Sequence, residues 1–177
     1  MKVSEAILCV LAFWCIGASA SLANDYASDS LTDPQIAQVV IHLNRGEIEM
    51  ANYAKSKSTN LAVRGFADKM IREHGSARDK TLAFVAKHGM ESESSTVGEQ
   101  LKSSAGAAEV KLKQAPPDDF DRVYVDTQIQ AHQEALKTID EKLIPTVKSA
   151  ELRKLLTEIR PKVAAHLDHA KDLKRKL

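Results

Sequence analysis

The sequence predicts an all-α protein, a four-helix bundle built from two helical hairpins joined by a crossover that carries a short helix. Three observations carry this prediction. Apolar residues recur at steps of three, four or seven through four long segments. No segment alternates apolar and polar residues at period two, which argues against a sheet or barrel. Two of the three connections between the long segments are short, and short connections make antiparallel neighbours.

The first element stands apart from the fold. Lys2 precedes an apolar run from Ile7 to Ile16, which contains the single Trp, Trp14, and small residues follow at Ala18, Ala20 and Ala23. This is the pattern of a secretory signal peptide over residues 1–23, with cleavage after Ala20 or Ala23 fitting equally well. The run falls short of the roughly 20 apolar residues that span a bilayer, and no later stretch approaches that length, so no transmembrane segment is expected after cleavage. Phe13 and Trp14 precede Cys15 in place of the small residues of a lipoprotein signal. Both cysteines, Cys9 and Cys15, leave with the leader, and the mature domain, 24–177, holds neither a disulfide nor a thiolate ligand. Any site must use histidine, carboxylates or tyrosine. The expected location is the bacterial periplasm, with outer-membrane association or secretion as the alternatives.

Thr32, Asp33 and Pro34 open the first helix, a capping side chain followed by proline in the first turn, and its apolar row is Ile36, Val40, Leu43, Met50 and Ala54. A second helix runs from about Asn60 to His88, where Gly89 supplies the stop; its row includes Val63, Ala67, Met70, Ile71, Leu82 and Val85. Glu91 to Ala108 is rich in Ser, Gly and Ala and reads as a crossover with one short helix. Asp118, Asp119 and Asp121 suit the positive end of a third long helix, which carries Val125, Ile129, Leu136, Ile139 and Leu143 and is ended or kinked at Pro145. The last helix, about Ala150 to Arg175, shows Leu152, Leu156, Ile159, Val163, Ala170 and Leu173, with a bend expected at Pro161.

Composition removes several function classes. With 25 Lys+Arg against 24 Asp+Glu and a net charge of +1, the chain presents no basic field for nucleic acid. It also lacks a glycine-rich phosphate loop, which argues against a nucleotide enzyme.

What interrupts the apolar rows is more informative. Each long helix places one ionisable side chain in its buried stripe: Glu47, His74, His132 and His166. At about 1.5 Å of rise per residue, Glu47 and His74 differ in level by roughly 7 Å across the first hairpin, and His132 and His166 by roughly 6 Å across the second. Long side chains and helix tilt can close such gaps. An unpaired buried polar group costs about 1 to 3 kcal/mol, so four at one depth imply mutual pairing or a ligand. Three imidazoles and a carboxylate suit one transition-metal ion, Zn, Fe, Cu or Mn, with an open position for water or oxygen. The alternative is a non-catalytic interaction or structural module whose metal-free His/Glu cluster is hydrogen-bonded and fixes helix register. No catalytic residue is assigned, and the residues do not separate an enzyme from a sequestering protein.

The neighbours of the cluster read as ordinary residues. Tyr124 is expected to pack with its hydroxyl at the surface. Glu49 and Glu73 read as solvated, although Glu73 could orient a ligand from outside. His42, His88 and His169 read as surface histidines, and Asp68 and Asp126 as pointing away from the cluster.

Asn44-Arg45-Gly46-Glu47-Ile48-Glu49-Met50-Ala51, then Phe66-Ala67 through Met70-Ile71-Arg72-Glu73-His74, then Phe120-Asp121 with Tyr124-Val125 and His132, then Pro161 with His166-Leu167 and Ala170 form an ordered set. In this set the chain resembles the exported bacterial ferritin-like domain-of-unknown-function family often labelled "predicted outer membrane protein". The resemblance implies a ferritin-like bundle, an exported location and a metal site at Glu47, His74, His132 and His166, with no established reaction. Classical di-iron ferritins use Glu-x-x-His pairs on two helices, whereas here Ile71, Ile129 and Val163 stand three residues before the histidines. Ferroxidase chemistry and mineral storage are therefore not expected, and a single-ion site is.

Overall fold

A computed structural model describes residues 30–177. The expected leader and both cysteines lie outside the described residues. The described residues are all-α: α1 (Asp33–Lys57), α2 (Leu61–Lys87), α3 (Thr96–Lys113), α4 (Phe120–Thr138), a single turn α5 (Ile144–Thr146) and α6 (Ala150–Lys174), with no strand among them.

Local chemistry explains the helix starts. Thr32 Oγ1 accepts the Gln35 amide at 3.3 Å while Gln35 Oε1 accepts the Thr32 amide at 3.0 Å, a reciprocal cap that satisfies two donors at the head of α1. Asn60 Oδ1 accepts the Ala62 amide at 2.9 Å at the head of α2, and Ser95 and Ser149 do the same for Gly98 and Leu152 at α3 and α6. Gly89, with φ of +58°, lies just past α2, where a left-handed residue lets the chain leave the helix. Asp33 ties the two hairpins together: its carboxylate accepts the backbone amides of Lys148 at 2.9 Å and Ser149 at 2.8 Å.

Two departures from the sequence reading have physical causes. The crossover holds an 18-residue helix, α3, longer than the short one expected. Its middle is small rather than apolar, which weakens the periodic signal without weakening helix propensity in its alanines. A widened π turn, Ile139–Leu143, follows α4. It lies where the ring of Pro145 would crowd the carbonyl of Glu141 in a regular α-helix.

α1 packs along α2, α4 along α6, and α2 against α6, while α3 lies across α1 and α4. The core divides into two layers. One gathers Met50, Phe66, Met70, Phe120, Tyr124 and Leu173. The other gathers Ile36, Phe84, Ile139, Leu143, Leu152 and Leu156. On every long helix the polar residues fall between the layers: Asn44 and Glu47 between Val40 and Met50, His74 between Met70 and Phe84, Gln128 and His132 between Val125 and Ile139, and His166 between Val163 and Ala170. Leu82, expected in the core, is 37% exposed.

Candidate metal centre

The side chains between the two layers have little access to water. His132 is 1% exposed, His166 2%, His74 7% and Glu47 9%. The ring centroids of the three histidines form a near-equilateral triangle with sides of 5.1, 5.4 and 5.6 Å. One ring nitrogen of each lies within 4.8 Å of those of the other two.

The hydrogen-bond partners fix which nitrogens carry protons. Asn44 Nδ2 donates to the Val40 carbonyl at 2.7 Å, which turns Asn44 Oδ1 toward His74 Nδ1 at 2.8 Å. An amide oxygen only accepts, so His74 Nδ1 carries the hydrogen. His132 Nδ1 meets the Gln128 carbonyl at 2.8 Å, one turn back along α4, and is protonated for the same reason. His166 Nε2 donates to Glu73 Oε2 at 2.8 Å. Each neutral ring therefore has one nitrogen with a bare lone pair: His74 Nε2, His132 Nε2 and His166 Nδ1. Those three buried atoms have no hydrogen-bond partner among the described residues.

Protons are a poor remedy for these lone pairs. Burial pushes the His74 pKa well down, and a charge on either neighbouring imidazole would push it further. His166 is lowered by burial to about 4, against the opposing pull of its hydrogen bond to Glu73. For Glu73, burial raises the pKa, but the His166 hydrogen bond and nearby positive charges bring the balance below the ordinary value. The arrangement matches a common feature of metal-binding histidines, in which the second ring nitrogen donates to a carbonyl or carboxylate and the first is left for the ion. A tetrahedral ion with nitrogen at 2.0 to 2.1 Å needs nitrogens about 3.3 Å apart, which side-chain shifts of about 1 Å or less would provide.

Of the four residues singled out in the sequence, the structure brings the three histidines together and holds Glu47 at the side. Glu47 Oε2 accepts Gln128 Nε2 at 2.8 Å, and Glu47 is not one of the residues within the 4.8 Å set. It lines, with His74 and His132, a cavity that runs under α3. Two residues were missed. Asn44 and Gln128 orient the site, and their signal was present: each lies on the buried stripe, three residues before Glu47 and four before His132. Tyr124 corrects an expectation, since its hydroxyl is fully buried, with no hydrogen-bond partner among the described residues. Burial and then the Glu47 charge hold that hydroxyl far above the ordinary phenol pKa, so it stays protonated. Asp68 and Asp126 do point away, toward Lys55 and Lys174 at 2.6 Å each.

These features define an all-helical protein with a buried triad of metal-competent imidazoles. The chain belongs to the family described as a domain of unknown function, DUF4142, which matches residues 18–173. No curated protein and no solved structure matches it.

Proposed function

We propose that the protein is an exported, periplasmic, ferritin-like four-helix bundle that binds one divalent first-row transition ion through His74 Nε2, His132 Nε2 and His166 Nδ1. The observation that carries this reading is the convergence of three bare lone pairs in a dry layer, each fixed by a hydrogen bond on the far nitrogen. A cation is the group that relieves all three at once. Glu47 serves the fourth side from the cavity wall, accepting from whatever oxygen ligand completes the shell. When bound, such an ion supplies a Lewis-acidic position at that fourth side. The site favours one ion over two because, among the described residues, Glu47 and Glu73 are the carboxylates hydrogen-bonded at it, fewer than the four that a di-iron centre draws from its helices. The export reading rests on the sequence of residues 1–23.

The test is equilibrium dialysis of the metal-free protein against Zn2+, Co2+, Cu2+, Mn2+ and Fe2+, followed by metal analysis. One equivalent bound, and none in a His74→Ala/His132→Ala/His166→Ala variant that retains its helical circular dichroism, is the expected result. Equal uptake by both proteins contradicts the reading. A metal-free cluster that only sets helix register would take up no ion in either.

A further inference from the structure

α3 is anchored at its two ends. Leu101 and Leu112 are buried, three turns apart on one face, and between them that face carries Ala105 and Ala108. The stripe is large, small, small, large. Opposite it on α1 stands Gly46, where an added Cβ would lie 3.8 Å from that of Ala105. The small middle of α3 leaves the space beneath it unfilled, bounded by larger aliphatic side chains around it, and a cavity of about 410 Å³ results. That is well over twice the volume of a cavity, about 150 Å³, that accepts benzene.

The cavity has two chemically distinct ends. Its body is aliphatic, walled by Leu43, Leu101, Leu143, Leu156, Ile159 and Val163. Its inner end presents His74, His132, Glu47 and Thr127, and the Thr127 hydroxyl is buried without a hydrogen-bond partner among the described residues. Exposed Ser104, Lys111, Gln130 and Glu134 line its opening between α3 and α4. A mainly apolar pocket closed by a few convergent polar groups is the usual form of a small-molecule site.

We propose that this cavity binds a small apolar molecule bearing a single hydroxyl, a phenol or an aliphatic alcohol, with the hydroxyl placed between the histidine triad and Glu47. The inference rests on the metal reading above for the group that the hydroxyl oxygen meets. A hydroxyl satisfies both demands of the inner end: its oxygen offers lone pairs to the triad's ion, and its hydrogen goes to the Glu47 carboxylate, which has acceptor capacity beyond the Gln128 bond. Thr127 Oγ1 supplies a second contact to the same head. A head with no hydrogen to give, such as a methyl ether, leaves the Glu47 carboxylate without that donor and is rejected. The aliphatic walls take the body of the molecule, releasing water from apolar surface.

The test is calorimetric titration of the zinc-loaded full chain with 4-propylphenol, 1-octanol and 4-propylanisole, whose ether oxygen carries no hydrogen. At least one hydroxyl compound is expected to bind tenfold or more tightly than the ether, and which of the two binds better separates the phenol from the alcohol. Glu47→Gln should narrow that gap by tenfold or more. Ala105→Leu, which fills the cavity from α3, should weaken the hydroxyl compound at least tenfold while zinc stoichiometry is kept. Bound zinc with no uptake of either hydroxyl compound overturns this inference and leaves the metal reading standing. Binding that is indifferent to Ala105→Leu, or a preference for the ether, overturns it too. Failure to bind zinc overturns both.

Discussion

An imidazole buried in a helical core has two nitrogens to satisfy, and each of these three satisfies one. The partners differ, a side-chain amide, a backbone carbonyl and a carboxylate, yet the outcome is the same bare lone pair facing inward. Orientation is therefore a testable property. Asn44→Leu leaves His74 in place but removes the acceptor that holds its tautomer, and zinc affinity should fall about 10- to 100-fold, as for other outer partners of metal-binding histidines. An unchanged dissociation constant in a competition titration would show that Asn44 does not orient the ring. His88 is the contrasting case: it pairs with Glu151 at 3.0 Å on the surface. His88→Ala should change neither zinc affinity nor stability by more than about 0.5 kcal/mol, the usual limit for a surface site. The three histidine positions were legible in the sequence because each interrupts an apolar row. Their polar supporters were less so, because Asn44 and Gln128 are uncharged and their partners, Val40, His74, Glu47 and His132, are set by helix rotation and packing.

Helix boundaries were readable wherever a capping side chain or a proline marked them, as at Thr32, Pro34 and Asn60. The π turn before Pro145 was not, because proline dictates that a helix must yield without dictating how. α3 was underestimated because its buried contacts are confined to Leu101 and Leu112. The carboxylate of Asp33 does at the element scale what Asn44 does at the residue scale. It accepts the two amides leading into α6 and so fixes the start of that helix against the start of α1. Asp33→Ala should cost about 1 to 3 kcal/mol in a denaturant titration by removing two hydrogen bonds to a charged acceptor. Zinc stoichiometry should not change, since the triad lies several turns away along both helices. Loss of zinc binding together with stability would mean that the two hairpins are held in register mainly from this end.

At the scale of the molecule, a polar layer lies between two apolar ones, and its stability depends on whether the imidazoles are neutral. His74 and His166 have lowered pKa values in the folded protein, whereas an imidazole in the unfolded chain titrates near 6.5. Below that value the unfolded state binds more protons, so acid favours unfolding. The metal-free protein should be most stable above pH 6.5 and lose melting temperature steadily as pH falls toward 4. A flat profile across this window would contradict the buried, neutral assignment. Zinc at 100 times its dissociation constant should add about 2.7 kcal/mol at neutral pH, because the ion binds only the folded arrangement.

The central claim is that three particular nitrogens face one another and hold one ion. Long-range 1H–15N correlation spectra of the 15N-labelled, zinc-loaded protein read this directly, since they distinguish the two nitrogens of every ring. The account predicts zinc at Nε2 of His74 and His132 and at Nδ1 of His166, with hydrogen retained on His74 Nδ1, His132 Nδ1 and His166 Nε2. Spectra in which zinc leaves these three rings unchanged, while His42, His88 or His169 shift, would contradict it.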